Sequence, residues 1–262
     1  MKILSFANQK GGVGKSTLTA HVAYAAQELG LRVLLVDMDN QGSLSLTFPG
    51  EEGKEMLMAS TLYSTERTDA EPDHLSDKLS IIRADMGLLA IDKAENKVIR
   101  LPGTALSRFH DRFDLCLIDT PPLLGIRLMA SLAASDFVVT PVSVGLYELA
   151  GVANLLQTIH VIRTQGFNRR LRHIGILPMK INMRSKQGLA ALNDLRQQPT
   201  YGDLIMPETL SEREPVRQAV AERRPVWTKI SGEGHVKAAG EWRAACNAIL
   251  KRVNHAGVRE PA

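Results

Sequence analysis

The chain has only two cysteines in 262 residues, Cys116 and Cys246, too few for the disulfide framework of a small secreted domain. Both sit among apolar neighbours (LCLID and AACNA), which predicts buried, reduced thiols and a cytoplasmic setting. No apolar run approaches the roughly 20 residues of a membrane span. The opening Met-Lys-Ile-Leu-Ser-Phe-Ala turns polar at Asn8-Gln9-Lys10, too early for a secretory leader. No internal repeat or low-complexity tract is present, and no zinc-finger spacing, recognition helix or aromatic stacking platform stands out. What remains is an ordinary globular composition, 44% hydrophobic and 23% charged, which excludes disorder as the main state.

The net charge of +4 conceals an asymmetry. Residues 1–159 carry 14 basic and 19 acidic side chains, and residues 160–262 carry 18 and 9. A basic C-terminal part on a near-neutral body points to an anionic partner, nucleic acid or membrane, or else to a solvated charged face.

Short apolar runs alternate with amphipathic stretches. Strands are expected at Ile3–Ala7, Val33–Asp37, Leu79–Arg83, Leu115–Asp119, Phe137–Pro141 and Ile174–Lys180. Helices are expected at about Lys15–Leu29, Arg127–Ala134, Leu146–Arg163, Gln187–Gln197, Ser211–Glu222 and Gly234–Val253. Runs such as VLLVD, LCLID and FVVTP suit strands buried on both faces. The pattern predicts an α/β fold: a mostly parallel twisted sheet with helices on both faces, in one domain spanning 1–262. Residues 49–78 fit least well and are expected to form a helical excursion and surface loop. Residues 254–262 are expected to be a loose tail.

The strongest local signal is Lys10-Gly11-Gly12-Val13-Gly14-Lys15-Ser16-Thr17, after an expected strand and opening an expected helix. Such a turn lets backbone N–H groups close around phosphate oxygens, with the helix N-terminus adding partial positive charge. Lys15 can reach the β and γ phosphates, and the Ser16 hydroxyl can ligate Mg²⁺. Gln9 stands where the usual G-x-x-x-x-G-K-[ST] pattern has glycine, and Lys10 adds a second lysine. A dinucleotide turn beginning at Gly12-Val13-Gly14, with Asp37 as ribose acid, is the rival. Thr17 occupies its third glycine position, and Gly-Lys-Ser has no purpose there.

Asp37 and Asp39 follow Val33–Val36, and Asp119 follows Leu115–Ile118. Strand C-termini converge on the ligand crevice of an open α/β sheet. An apolar strand ending in aspartate beside a Lys-Ser phosphate loop is the Walker B arrangement, so Asp119 is the expected Mg²⁺ acid. Any single strand-end aspartate could equally be a cap or turn residue.

Together, Asn8–Thr17, Val36-Asp37-Met38-Asp39-Asn40-Gln41-Gly42-Ser43 and Asp119-Thr120-Pro121-Pro122 resemble the deviant Walker A, A′ and B motifs of ParA-type partition ATPases. The likeness continues through Ala133–Val142 and, more weakly, at Pro207 to Glu212. It thins at 49–78 and after 160. The resemblance implies an ATP-binding, Mg²⁺-dependent ATPase with slow, partner-stimulated hydrolysis. It implies that Lys10 reaches across a sandwich homodimer to the partner's nucleotide, that Asp39 positions the attacking water, and that Asp37 and Asp119 support Mg²⁺. Asn40 departs from the family's usual proline. By the same resemblance, Asn182 and Pro207 contact adenine, although Met179 and Met206 beside them suit core packing equally.

Within this class, ParA-type proteins bind non-specific DNA and MinD-type proteins bind membranes through a C-terminal amphipathic helix. Here the terminal apolar stripe Trp242, Ala245, Ile249, Val253 suits a core-facing helix, and no membrane insertion is expected. Basic residues lie instead through the C-terminal third: Arg163, Arg169, Arg170, Arg172, Lys186, Arg196, Arg213, Arg217, Arg223 and Arg224. Of these, Arg196, Arg213 and Arg217 are the DNA candidates that best match the family. With the phosphate loop starting at residue 10, the chain resembles the short form without an N-terminal helix-turn-helix domain. The implied activity is partition of a plasmid, chromosome or integrative element with a ParB-type adaptor, on the nucleoid. The alternative is positioning of a protein cargo or membrane assembly.

Overall fold

The computed structural model describes residues 1–50, 56–143, 148–183 and 185–255. Eight strands form one sheet in the order β3-β4-β2-β5-β1-β6-β7-β8. They are β1 (Lys2–Phe6), β2 (Val33–Asp37), β3 (Asp73–Ser76), β4 (Leu79–Ile82), β5 (Leu115–Asp119), β6 (Phe137–Ser143), β7 (Arg172–Ile181) and β8 (Leu210–Ser211). All neighbours pair in parallel except β3 with β4. The helices are α1 (Lys15–Glu28), α2 (Ser43–Thr47), α3 (Leu88–Ile91), α4 (Leu101–Ser107), α5 (Ile126–Ala134), α6 (Glu148–Thr164), α7 (Lys186–Arg196), α8 (Glu214–Ala221) and α9 (Gly232–His255).

The continuous apolar runs are explained by cover on both sides. In β2, Val33 and Leu35 pack into a core with α1 and α9, whereas Leu34 and Val36 pack into a second core with α4 and α5. In β5, Leu115 and Leu117 face the first core, and Cys116 and Ile118 the second. Alternate side chains of a strand point to opposite faces, so a strand between two helical layers has no polar side. Both cysteines are free and buried. Trp242, Ala245, Ile249 and Val253 are buried in the first core, so the terminal stripe packs on the sheet.

The expected mostly parallel α/β sheet is therefore present, with local differences. Strand β3 lies in the stretch expected to be loop. Its sequence, DHLS, carries no apolar alternation, and it is held by pairing with β4 and by Arg83, which forks onto Asp73 Oδ2. Short helical turns at 88–91 and 96–107 were not anticipated. Ser211, expected to begin a helix, ends β8; Pro215 in the first turn of α8 sets that start later. Asn254 and His255 belong to α9 and not to a loose tail. Residues 256–262, like residues 146–147 at the expected start of α6, lie outside the described residues.

Candidate functional site

The topology sets the site. Chain order reverses about β1, which sits between β5 and β6, and ligands of open α/β sheets bind at such switch points. The phosphate loop leaves β1 there. Asn8 is buried and fixes its entry: Nδ2 donates to Pro141 O (2.6 Å), and Oδ1 accepts from Lys10 N (2.8 Å). Gly12 (φ 71°) and Gly14 (φ 100°) adopt left-handed backbone, open to glycine at little cost. Gly14 also caps α1 without any side-chain hydrogen bond, which leaves the first helical N–H groups for an anion.

Asp37 and Asp119 are opposite one another in the β2–β5 register, and Asp119 is opposite Phe6 of β1. Both carboxyls are buried at 0% and 1% exposure. Their surroundings differ. Asp37 Oδ2 accepts from Ser45 N (2.8 Å) and Ser45 Oγ (2.7 Å), and Oδ1 from Asp39 N (3.1 Å). Burial raises its pKa to about 6, against the pull of these bonds. Neither carboxylate oxygen of Asp119 has a hydrogen-bond partner. Burial, then the neighbouring Asp37, raises its pKa to about 8, with Ser16 and Lys15 working the other way. Buried polar groups are normally satisfied, so an unpartnered carboxylate beside Ser16 is a place where a divalent cation fits. Asp37, by contrast, is engaged in holding its own loop.

Lys15 is 7% exposed, and its ammonium donates to Lys10 O at 3.3 Å. Burial lowers its pKa, and Asp119 and Asp39 draw it back up. Lys15 opens on a cleft of about 460 Å³ whose wall also includes Gly11, Gly12, Gly14, Ser16, Thr17 and Asp39, with Asp37 and Asp119 buried outside that wall. Val13 is buried beneath the loop. Lys10 is exposed at the loop's outer edge and is not part of that wall.

The far wall is built from residues other than the two expected at adenine. Asn182 and Pro207 are exposed and do not line the cleft. Met179, Lys180, Val216 and Val220 line it instead. Lys180 Nζ donates to Gly12 O (2.6 Å) from a left-handed backbone (φ 56°), tying the end of β7 to the phosphate loop. Neither Lys180 nor Ser45 carries a sequence signal; each is brought in by strand order.

The basic residues do not share one face. Arg213 is engaged by Glu241 (2.9 Å), which also accepts from Ser211, and Arg213 and Arg217 both border the cleft. Arg213 is thereby engaged within the chain. Arg217 is exposed and paired with Glu212 at 2.7 Å. Arg224 is 13% exposed and held by Glu222 and Thr228 O. Lys186 and Arg196 stand exposed on α7, where Arg196 donates to Pro207 O (3.3 Å). Arg163, Arg169, Arg170 and Arg172 surround the start of β7, at the end of the sheet away from the phosphate loop.

Among the described residues no helix is long and apolar enough to cross a membrane, and no cluster of three or more His, Cys, Asp or Glu could cage a metal. Mg²⁺ sites at phosphate loops use few protein ligands and substrate oxygens instead.

Residues 1–173 match the family described as AAA domain. Protein IncC of Escherichia coli is 33% identical over 260 residues, covering 97% of this chain and 70% of that protein. The chromosome-partitioning ATPase Soj of Thermus thermophilus is 36% identical over 177 residues, 66% of this chain and 67% of its own. Among solved structures, cobyrinic acid a,c-diamide synthase from Mycobacterium smegmatis with bound ADP and magnesium superposes with a TM-score of 0.75 at 25% identity. That match covers 100% of this chain and 98% of that one.

Proposed function

The chain belongs to the AAA domain family and, within it, to the ParA/MinD class of P-loop ATPases, and from that premise we propose an ATP-dependent dimerising ATPase that binds DNA without sequence choice and partitions a replicon with a ParB-type adaptor. ATP and Mg²⁺ are its cofactors; the neighbour solved with ADP and magnesium supports this. The observation that carries the reading is the buried, unpartnered Asp119 carboxylate beside Ser16 and Lys15 under a glycine loop.

Phosphoryl transfer needs positioning and charge neutralisation more than covalent chemistry. The loop N–H groups and Lys15 hold the β and γ phosphates. Ser16, with Asp119 behind it and Asp37 supporting the loop, would hold Mg²⁺, which would supply charge neutralisation at the phosphates. Asp39, half-buried at the cleft edge, orients the attacking water. Lys10, outside the cleft of its own chain, reaches the nucleotide of a second protomer. Hydrolysis then depends on dimerisation, and ATP acts as a switch.

The basic C-terminal part, with Lys186 and Arg196 exposed on α7, supports DNA as the anionic partner, and nucleoid association follows from it. The partition ATPase among the relatives points the same way. A gel shift on non-specific DNA with ADP, ATP and a slowly hydrolysed analogue tests the reading. Binding with ATP and the analogue, falling steeply with salt, is expected. No shift with ATP, or a shift insensitive to salt, removes the DNA role and leaves the cargo-positioning alternative. Liposome flotation with ATP is expected to be negative, because the apolar stripe of α9 is already covered by the sheet.

A further inference from the structure

One buried cation has no part in the site so far. Arg127, on α5, is 4% exposed. A guanidinium survives burial only when its charge is paired and its donors are satisfied. Nε and Nη2 both donate to Asp92 Oδ2, at 2.9 and 2.6 Å. The remaining nitrogen, Nη1, donates to Met38 O at 3.2 Å and to Asn40 Oδ1 at 3.0 Å. Met38 and Asn40 are the two residues that flank Asp39.

The segment 38–42 joins β2 to α2; Met38 N still donates to Asp119 O of β5 (2.9 Å), and beyond it the segment is neither helix nor strand. Its internal bonds are local: Asp39 N to Asp37 Oδ1 (3.1 Å), Gln41 N to Asp39 Oδ1 (3.1 Å) and Gly42 N to Asp39 O (2.8 Å). These set the curl of the turn, and the Met38 side chain is buried in the second core. Arg127 adds a polar tie from α5, one bond on each side of Asp39, while Asp92, just past the end of α3, anchors the guanidinium. Neither Arg127 nor Asn40 lines the cleft.

We propose that Arg127 and Asn40 are positioning residues for Asp39: the guanidinium, anchored on Asp92, holds the Met38 carbonyl before Asp39 and the Asn40 side chain after it so that the Asp39 carboxylate stays aimed into the cleft. This rests on the reading of Asp39 as the carboxylate that orients water. Asn40 is where the chain departs from the proline of the family it resembles, and proline offers no side-chain acceptor. A lysine could not replace Arg127, because one ammonium lacks the planar fork that spans Asp92 on one edge and the Met38–Asn40 pair on the other.

The test is steady-state ATP hydrolysis with melting temperature for Asn40→Ala, Asn40→Asp, Arg127→Lys and Asp39→Ala in the full chain. Asn40→Ala and Arg127→Lys are expected to lower kcat by roughly ten- to a hundredfold, the scale of a displaced catalytic group. KM for ATP and the melting temperature of Asn40→Ala should stay near wild type, because nucleotide contacts are untouched. Asn40→Asp keeps an oxygen facing Nη1 and should recover most of the lost kcat. The proposal is overturned if Asn40→Ala turns over like wild type, if the loss appears in KM instead of kcat, or if Asn40→Asp does no better than alanine. Should Arg127→Lys fail to fold, the two Asn40 variants still decide. Wild-type turnover by Asp39→Ala would overturn the reading of Asp39 itself. An inactive Asp39→Ala beside wild-type Asn40→Ala and Arg127→Lys would overturn only this inference.

Discussion

His21 makes the stability of the phosphate-loop helix depend on pH. It lies on α1, 1% exposed, with its ring 4.4 Å from that of Trp242. Nδ1–H donates to Thr17 O at 2.8 Å, and Nε2 accepts from Val226 N at 3.2 Å. The second bond requires a neutral ring. Burial lowers the pKa from 6.5 to about 4, with Thr17 O opposing. As pH falls, the unfolded chain takes up this proton first. The stabilisation is therefore fully present above about 6.5 and is lost progressively down to about 4. At pH 5 the loss from this one group is about 2 kcal/mol relative to pH 7.5. Asp37 and Asp119 carry the opposite sign, because their folded pKa values are raised and acid favours the folded state. The wild-type curve mixes these effects, so the measurement is a difference. His21→Gln cannot titrate there, whereas the carboxyls and the buried His173 are common to both proteins. The stability of wild type relative to His21→Gln should fall by about 2 kcal/mol between pH 7.5 and 5, or about 4–8 °C in relative Tm for a chain of this size. Thermal melts of both proteins without nucleotide would show it. A difference that stays constant over that range would mean His21 is not held neutral, and the argument from its two hydrogen bonds would be wrong.

Other perturbations separate the roles at the nucleotide site. Lys15→Ala should lose ATP affinity by more than tenfold, since hydrogen bonds to charged groups are worth about 1.5–3 kcal/mol each; fluorescent-nucleotide titration measures it. Asp39→Ala should bind ATP and stay dimeric while turnover drops by about a hundredfold or more, read by phosphate release and light scattering; wild-type turnover would remove its assigned role. Arg196→Ala, exposed on α7, should weaken binding to every DNA sequence alike and reduce the salt slope by about 1. Arg213→Ala should instead lower Tm, because it breaks the pair with Glu241.

Much of the fold was legible because burial on both faces leaves an unmistakable mark. VLLVD and LCLID have no polar alternation, and both lie between two helical cores. Strand β3 was not legible: DHLS gains its place only by pairing with β4. The same holds for the short turns at 88–107, which are too brief to show periodicity.

The sequence by itself determined the phosphate loop and its acids. Glycine spacing, Lys15-Ser16 and strand-end aspartates are local features, and local chemistry dictates their backbone and their reach. Tertiary structure alone decided what each acid meets. Parallel register sets Asp37 beside Asp119, yet only α2 brings Ser45 to Asp37, which leaves Asp119 without a partner. Tertiary structure also brought Met179, Lys180, Val216 and Val220 to the far wall of the cleft. It joined Arg127 to residues 87 and 89 positions away, Asn40 and Met38. It engaged Arg213 with Glu241, set Arg217 on α8 beside the cleft, and placed Arg196 on α7 and Arg163, Arg169, Arg170 and Arg172 at the opposite end of the sheet. The reason is the same in each case. These contacts join segments far apart in the chain, and what a side chain meets there depends on strand order and helix packing, which no local pattern encodes.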